Sequence, residues 1–314
     1  MRHSILSWDC CFRNFFDLIP ALAAQDYPRS EYELIIVEQR TRQESDRYNH
    51  ALGLPSLSEV VDEHRGRFNV EAVFLGVGAD LPYHIGLCLN RAAARARGSV
   101  LSRMDGDVIV RPDFLSQLDQ AHSELETTLN LDRRMVPHPV GASLSNWREG
   151  KREFVACLQA CPDRDRPVPK TVSNKGPMVS APRDWIEAVG GYDEHRLWST
   201  ALSRSGQDLT ARLEILTGKP SMALPDQFCV HPFHPSVHRS SALAGLVLGI
   251  QRKLINWSKD CGEPHHERRQ AITEQLYRRF AWAVEASIRG GPSIRERAHA
   301  YLLMRSGRYP ELFA

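Results

Sequence analysis

The chain has 314 residues, 42% hydrophobic and 25% charged, the balance of a globular protein with one large core or two modest ones. Its 40 basic residues against 38 acidic ones leave a net charge of +2, with no dense basic run and no aromatic ladder, which excludes a nucleic-acid partner. Seven cysteines (Cys10, Cys11, Cys88, Cys157, Cys161, Cys229 and Cys261) form no Cys-x-x-Cys pair, which excludes a disulfide framework and a zinc knuckle.

In chain order, Met1-Arg2-His3 leads directly into an apolar strand, Ser4 to Trp8, with no leader pattern, so the cytoplasm is the expected compartment. Asn14 to Gln25 carries Phe15, Leu18, Ile19 and Leu22 at helical spacing, and Pro28 follows its end. Glu33 to Glu38 is the cleanest buried strand, and Val70 to Leu75 reads as a third. Ile85 to Arg97 is an alanine- and arginine-rich helix closed by Gly98, followed by a strand over Val100 to Met104. Pro112 to Leu125 reads as a helix with proline in its first turn. Strands alternating with helices predict a parallel, doubly wound sheet covered on both faces.

Between Leu131 and Pro177, prolines at 137, 139, 162, 167 and 169 predict loops and one added strand. Short helices are expected over Ala181 to Val189 and Asp208 to Leu216, with a late strand at Phe228 to His231. Beyond Ser240 the pattern is helical throughout, Ala271 to Arg289 being its longest element. Twelve basic residues stand there against seven acidic ones, a solvated face or a surface for anionic lipid or a second copy of the chain. The longest apolar run, Ala242 to Ile250, is too short to span a bilayer. Membrane contact, if made, is therefore expected to be peripheral, at the inner surface.

Chemistry concentrates at Asp105-Gly106-Asp107, directly after the strand that ends at Met104. Carboxylates at the end of a buried strand are costly to desolvate unless a positive group meets them, and their oxygens suit Mg²⁺ or Mn²⁺. In a doubly wound sheet, ligands bind beyond the carboxyl ends of the strands, where this pair falls. Asp208 opens a helix behind Ser205-Gly206, where a carboxylate is either a cap or a base. His231-Pro232-Phe233-His234 follows an apolar strand, with prolines at 232 and 235 fixing the local backbone.

These pieces, in this order, resemble a family 2 glycosyltransferase of the GT-A fold over roughly residues 1–240. Ser4 to Trp8 and Glu33 to Glu38 take the places of the family's first two strands, the second of which usually ends in Asp. Leu89 to Gly98 matches the helix before the Asp-x-Asp strand. Gly190-Gly191-Tyr192-Asp193-Glu194 is similar to the acceptor-side Gly-Gly-Phe-Asp-Glu segment. Gly206-Gln207-Asp208-Leu209 resembles the Glu-Asp motif that supplies the catalytic base, with Gln207 where the family often has Glu.

The resemblance implies an open, twisted, mostly parallel α/β sheet flanked by helices. Residues 1–110 form its nucleotide-binding half, 111–240 its acceptor half, and 241–314 a C-terminal helical extension. It implies a metal-dependent transfer of a sugar from a nucleoside diphosphate donor, UDP-linked, to the hydroxyl of a carbohydrate or other acceptor, by single displacement with inversion. Asp105 and Asp107 would hold Mn²⁺ or Mg²⁺, with Asp107 the direct ligand. His231 would be the third ligand, with His234 and then His238 as alternatives, and imidazole tilts the metal to manganese. Asp208 would take the acceptor's proton. Ser7, Trp8, Glu38, Arg40, His84, Asn90 and Arg103 would face the nucleotide or its diphosphate, and Glu38 would accept from uracil N3–H. Trp185 and Trp198 serve equally as sugar platforms or core, and Asn174-Lys175-Gly176 as donor-side or surface loop. Two rivals remain. A nucleotidyltransferase would release pyrophosphate, but Asp9-Cys10-Cys11-Phe12-Arg13 lacks the glycines of its usual loop. A non-catalytic sugar-nucleotide binder would bind without turnover.

Overall fold

A computed structural model describes residues 2–9, 17–51, 55–77, 83–136, 177–199, 203–232 and 242–289. Seven strands, β1 (His3–Asp9), β2 (Tyr32–Glu38), β3 (Asn69–Phe74), β4 (Val100–Met104), β5 (Leu129–Val136), β6 (Met178–Pro182) and β7 (Met222–Pro232), form one sheet in the order 3-2-1-4-6-5-7. The pairs β3–β2, β2–β1, β1–β4 and β5–β7 are parallel. The sheet is mostly parallel, as expected, and its antiparallel member is β6, which runs against both β4 and β5. Its residues Met178 to Ala181 are buried, so a short apolar run there serves as a strand and the helix starts later, at Arg183.

The helices are α1 (Leu18–Ala23), α2 (Arg42–Ala51), α3 (Leu57–His64), α4 (Ile85–Arg95), α5 (Phe114–Glu124), α6 (Arg183–Ala188), α7 (Ser205–Thr217), α8 (Ala242–Cys261) and α9 (His266–Arg289). Alternation along the strands splits the core. Ile5, Leu34, Ile36 and Met104 pack with α1, α3 and α5, whereas Leu6, Trp8, Ile35, Val37 and Leu101 pack with α4, α6 and α7. A third cluster joins Leu197, Trp198 and Ala211 to Val247, Ile250, Leu254 and Val284, so α8 and α9 share a core with the preceding segment. No helix among the described residues is long and apolar enough to cross a membrane.

Between α4 and β4 the chain passes hard against β1. The N–H of Gly98 donates to Ser4 Oγ at 2.8 Å, and a Cβ on Gly98 would lie 2.6 Å from the Ser4 backbone nitrogen. Gly98→Ala is therefore expected to cost about 1–3 kcal/mol through forced separation of β1 and β4, read as a lower thermal midpoint.

Midway along β4 and β6, Ser102 and Ser180 share a hydrogen bond at 2.6 Å and His122 Nε2 lies 2.8 Å from Ser180 Oγ, while His3, which opens β1, lies 3.4 Å from Asp119. Burial, only partly opposed by Asp119, holds His3 down at about 4; burial, with the nearby His3 and Arg2, holds His122 at about 3. Both rings stay neutral in the fold and gain a proton on unfolding below their ordinary value of 6.5. Their contribution is fully present above that pH and is lost as pH falls through the folded values. Unfolding free energies from urea melts are expected to fall by about a few kcal/mol in all between roughly pH 6.5 and 3, and His122→Gln to flatten the slope.

Candidate active site

The parallel strands deliver their carboxyl ends to one edge of the sheet. Trp8 and Asp9 at the end of β1 pair with Val37 and Glu38 at the end of β2, and Leu6 pairs with Arg103 of β4. Asp105-Gly106-Asp107 turns away from β4 at this edge, with Asp105 7% and Asp107 1% exposed. Two main-chain ties fix the turn: Asp105 N–H donates to Pro177 O at 3.0 Å, and Leu18 N–H donates to Gly106 O at 3.1 Å. Just beyond it, Ile109 and Val230 exchange backbone hydrogen bonds at 2.9 Å, an antiparallel bridge that draws the end of β7, where His231 stands, alongside the backbone of Asp107 and Val108. His234 and His238, and the loop Asn174-Lys175-Gly176, lie outside the described residues.

A further carboxylate approaches from α1. Asp17 precedes that helix without capping it, is 1% exposed, and has one oxygen without a hydrogen-bond partner among the described residues. Burial, reinforced by the charge of Asp107, pushes its proton affinity up to about 8. In sequence Asp17 falls inside the stretch Asn14 to Gln25 expected to be one helix, as a polar position between Phe15 and Leu18, and no local pattern marks it. This crowding of carboxylates suits a divalent cation. Among the described residues no three His, Cys, Asp or Glu side chains form a complete metal cage. Mg²⁺-type sites commonly use one or two carboxylates and leave the remaining positions to water and phosphate, so the donor set fits.

Arg103 contributes the positive charge. Its Nη2 lies 2.7 Å from Asp105 Oδ1, and its guanidinium carbon sits 4.7 Å from the centroid of the Trp8 ring. Trp8 is thus both core, at 7% exposure, and a platform for a cation. Gly206, in the first turn of α7, packs on Arg103: a Cβ there would lie 3.2 Å from Arg103 Nη1.

The other expected nucleotide contacts are held by the fold. Ser7 Oγ–H donates to Met104 O at 2.9 Å. Glu38 is fully buried and accepts from Arg40 N–H at 2.8 Å. His84 caps α4 by accepting from Leu87 N–H, its own N–H meets Gln39 Oε1 at 2.8 Å, and its Nε2 faces His195 O. Burial keeps the His84 ring below its ordinary proton affinity, against backbone bonds that favour the proton. Asn90 clamps the Gly190–Glu194 turn, accepting from Tyr192 N–H at 2.9 Å and donating to Tyr192 O and Glu194 Oε1 at 2.8 Å. Trp198 is fully buried in the third cluster, hence core and not a sugar platform, and Trp185 packs at the edge of the second.

Asp208, the expected base, is held between two arginines. It is 1% exposed, its Oδ2 accepts from Arg212 Nε at 2.9 Å and Arg269 Nη1 at 3.2 Å, and its Oδ1 lies 2.8 Å from Arg269 Nη2. Burial disfavours its charge, but the two guanidinium groups outweigh burial and hold the carboxyl below its ordinary range. A carboxylate so held is a weak proton acceptor. Arg269, 61 residues further along the chain, had no signal in the sequence.

No protein-family model and no curated protein sequence matches the chain. Solved structures do. Staphylococcus aureus TarS residues 1–349, in complex with UDP-GlcNAc, superposes with a TM-score of 0.51 at 16% identity, covering 77% of this chain and 61% of that one. A longer S. aureus TarS structure gives 0.53 at 16% identity, covering 94% and 46%. The mannosyltransferase PcManGT from Pyrobaculum calidifontis, in complex with GDP-Man and Mn²⁺, gives 0.51 at 16% identity over 99% and 80%. This chain spans less than two thirds of the length of the two TarS chains. The likeness is one of fold: a mostly parallel, mixed seven-stranded GT-A sheet followed by helices.

Proposed function

We propose that this protein transfers a sugar from a nucleoside diphosphate donor to an acceptor hydroxyl, using a divalent cation at the Asp105-Gly106-Asp107 turn. The observation that carries this reading is the pair of buried carboxylates at the carboxyl end of β4, bridged to the end of β7. The neighbours support it, since TarS is seen with UDP-GlcNAc and PcManGT with GDP-Man and Mn²⁺.

Asp107 and Asp105 would hold the metal, with the residue at 231 as third ligand. A bound cation offsets the charge that grows on the departing diphosphate. Arg103, braced between Trp8 and Asp105, adds a fixed guanidinium at the same edge, suited to phosphate oxygens. Manganese and a UDP-linked donor are the specific forms put to test, Glu38 being the carboxylate at the end of β2 that would accept from uracil.

Inversion by single displacement needs a proton acceptor beside the attacking hydroxyl, and Asp208, ion-paired twice, is poorly suited to that task. This observation favours a second reading, a sugar-nucleotide binder without turnover. Incubating the protein with UDP- and GDP-sugars, Mn²⁺ and a panel of hydroxyl acceptors separates the two. Release of nucleoside diphosphate with glycosylated product is the expected result. Donor binding without release would establish the binder, and release of pyrophosphate would move the chemistry to nucleotidyl transfer.

A further inference from the structure

The first turn of α9 reaches back to the edge of the sheet at two points. Arg269, fully buried, enters beside Asp208, and His266 packs on the Gly190–Gly191 turn. That turn has φ of +83° and +69°, and a Cβ on Gly190 would lie 2.0 Å from His266 Nδ1, so only glycine fits beneath the ring. Arg212, one helical turn after Asp208 and fully buried, carries the contact onward. Its Nη1 donates to Val189 O at 2.8 Å and its Nη2 to Gly191 O at 2.7 Å. The next residue, Tyr192, is the one Asn90 holds by its N–H and carbonyl. On the other side of Asp208, Gly206 in the same helical turn rests on Arg103, which bonds Asp105.

We propose that Asp208 is a positioning residue, not the proton acceptor: with Arg212 it forms a socket that Arg269 of α9 fills. The filled socket sets the Gly190–Tyr192 turn and the start of α7 against Arg103 and Asp105. The physical basis is that neither guanidinium is accommodated without the shared carboxylate, and Arg212 spends its remaining donors on the turn. Losing Asp208 leaves Arg212 held only by the carbonyls of Val189 and Gly191, and losing Arg269 leaves the buried Asp208–Arg212 pair without its third member; either change loosens the turn and α7 together. The C-terminal helix pair then belongs to the site as a structural part. What is positioned rests on the transferase reading; the socket itself does not.

The test uses the full chain. Hydrogen exchange by mass spectrometry is followed over residues 186–199 and 203–212 in wild type, Arg269→Met, Asp208→Asn, the double variant and Arg269→Lys. The two single variants are expected to speed exchange at both segments by about tenfold or more, the double variant by no more than either. Arg269→Lys keeps the charge without the fork and is expected to fall between. In parallel, the pH profile of nucleoside diphosphate release is measured with UDP- and GDP-sugars and Mn²⁺. Arg269→Lys should lower the plateau without moving the acidic limb. Wild-type exchange at both segments in Arg269→Lys and Arg269→Met overturns the socket. So does an Asp208→Asn variant with wild-type exchange that loses the acidic limb, because that marks a base. Absence of release by wild type with every donor defeats the transferase reading alone, since the exchange arms still decide the socket.

Discussion

Asp107→Ala is expected to lower nucleoside diphosphate release by about 10²–10³-fold while leaving the thermal midpoint at or above that of wild type. The two halves of this expectation have one cause. Asp107 is 1% exposed beside Asp17, whose proton affinity is pushed up to about 8 by burial and by the charge on Asp107. The charge on Asp107 helps force Asp17 to take up a proton on folding, so deleting Asp107 relieves the fold and removes the proposed anchor for the cation at once. Initial-rate assays in Mn²⁺ and melting curves in chelator check the two halves. A variant that melts far below wild type with unchanged release would mean that Asp107 holds the turn and nothing else.

Asp208→Ala is expected to act on stability instead, lowering it by about 3–5 kcal/mol and the melting temperature by roughly 6–10 °C. Removal strands two fully buried guanidinium groups, Arg212 and Arg269, with only the carbonyls of Val189 and Gly191 to receive one of them. An exposed helix-capping Asp would cost about 1 kcal/mol on the same substitution. Differential scanning calorimetry distinguishes them, and a loss of the smaller size would show that the carboxylate is not the keystone of this cluster.

The first half of the sheet was legible because its strands are continuous apolar runs bounded by turn residues. Val100 to Met104 is a strand with the expected bounds, and Ile85 opens α4 as read, with the end two residues earlier at Arg95. Helix α2 was not legible: Arg42 to Ala51 is polar almost throughout and shows no apolar stripe. Helix α3 did carry a signal, the Ser56-x-x-Glu59 capping box, whose two reciprocal bonds form at 2.7 and 3.2 Å. Strand β7 begins six residues ahead of the expected Phe228, because Pro225 and the left-handed Asp226 (φ 53°) mask its early part.

The site divides in the same way. Asp105 and Asp107 stand out because an acidic pair at the end of a buried strand has a local cost that sequence reveals. Asp208 reads locally as a cap or a base; its burial against Arg212 at i+4 is completed by Arg269, whose partner is set by tertiary packing alone. Ser7, His84 and Asn90 lie at the expected edge yet spend their polar groups on main-chain bonds. Those bonds arise from strand ends and turns meeting across 97, 111 and 102 residues of chain, which no local pattern reports.

The Asp105-Gly106-Asp107 turn is expected to bind a nucleoside diphosphate together with a divalent cation. Isothermal titration of UDP and of GDP into the full chain, in Mn²⁺ and again in chelator, with wild type and Asp107→Ala, tests it most directly. At least one nucleotide should bind wild type in Mn²⁺ and weaken by about tenfold or more both in chelator and in the variant. Equal affinity under all three conditions, or no binding of either nucleotide in Mn²⁺, would contradict it.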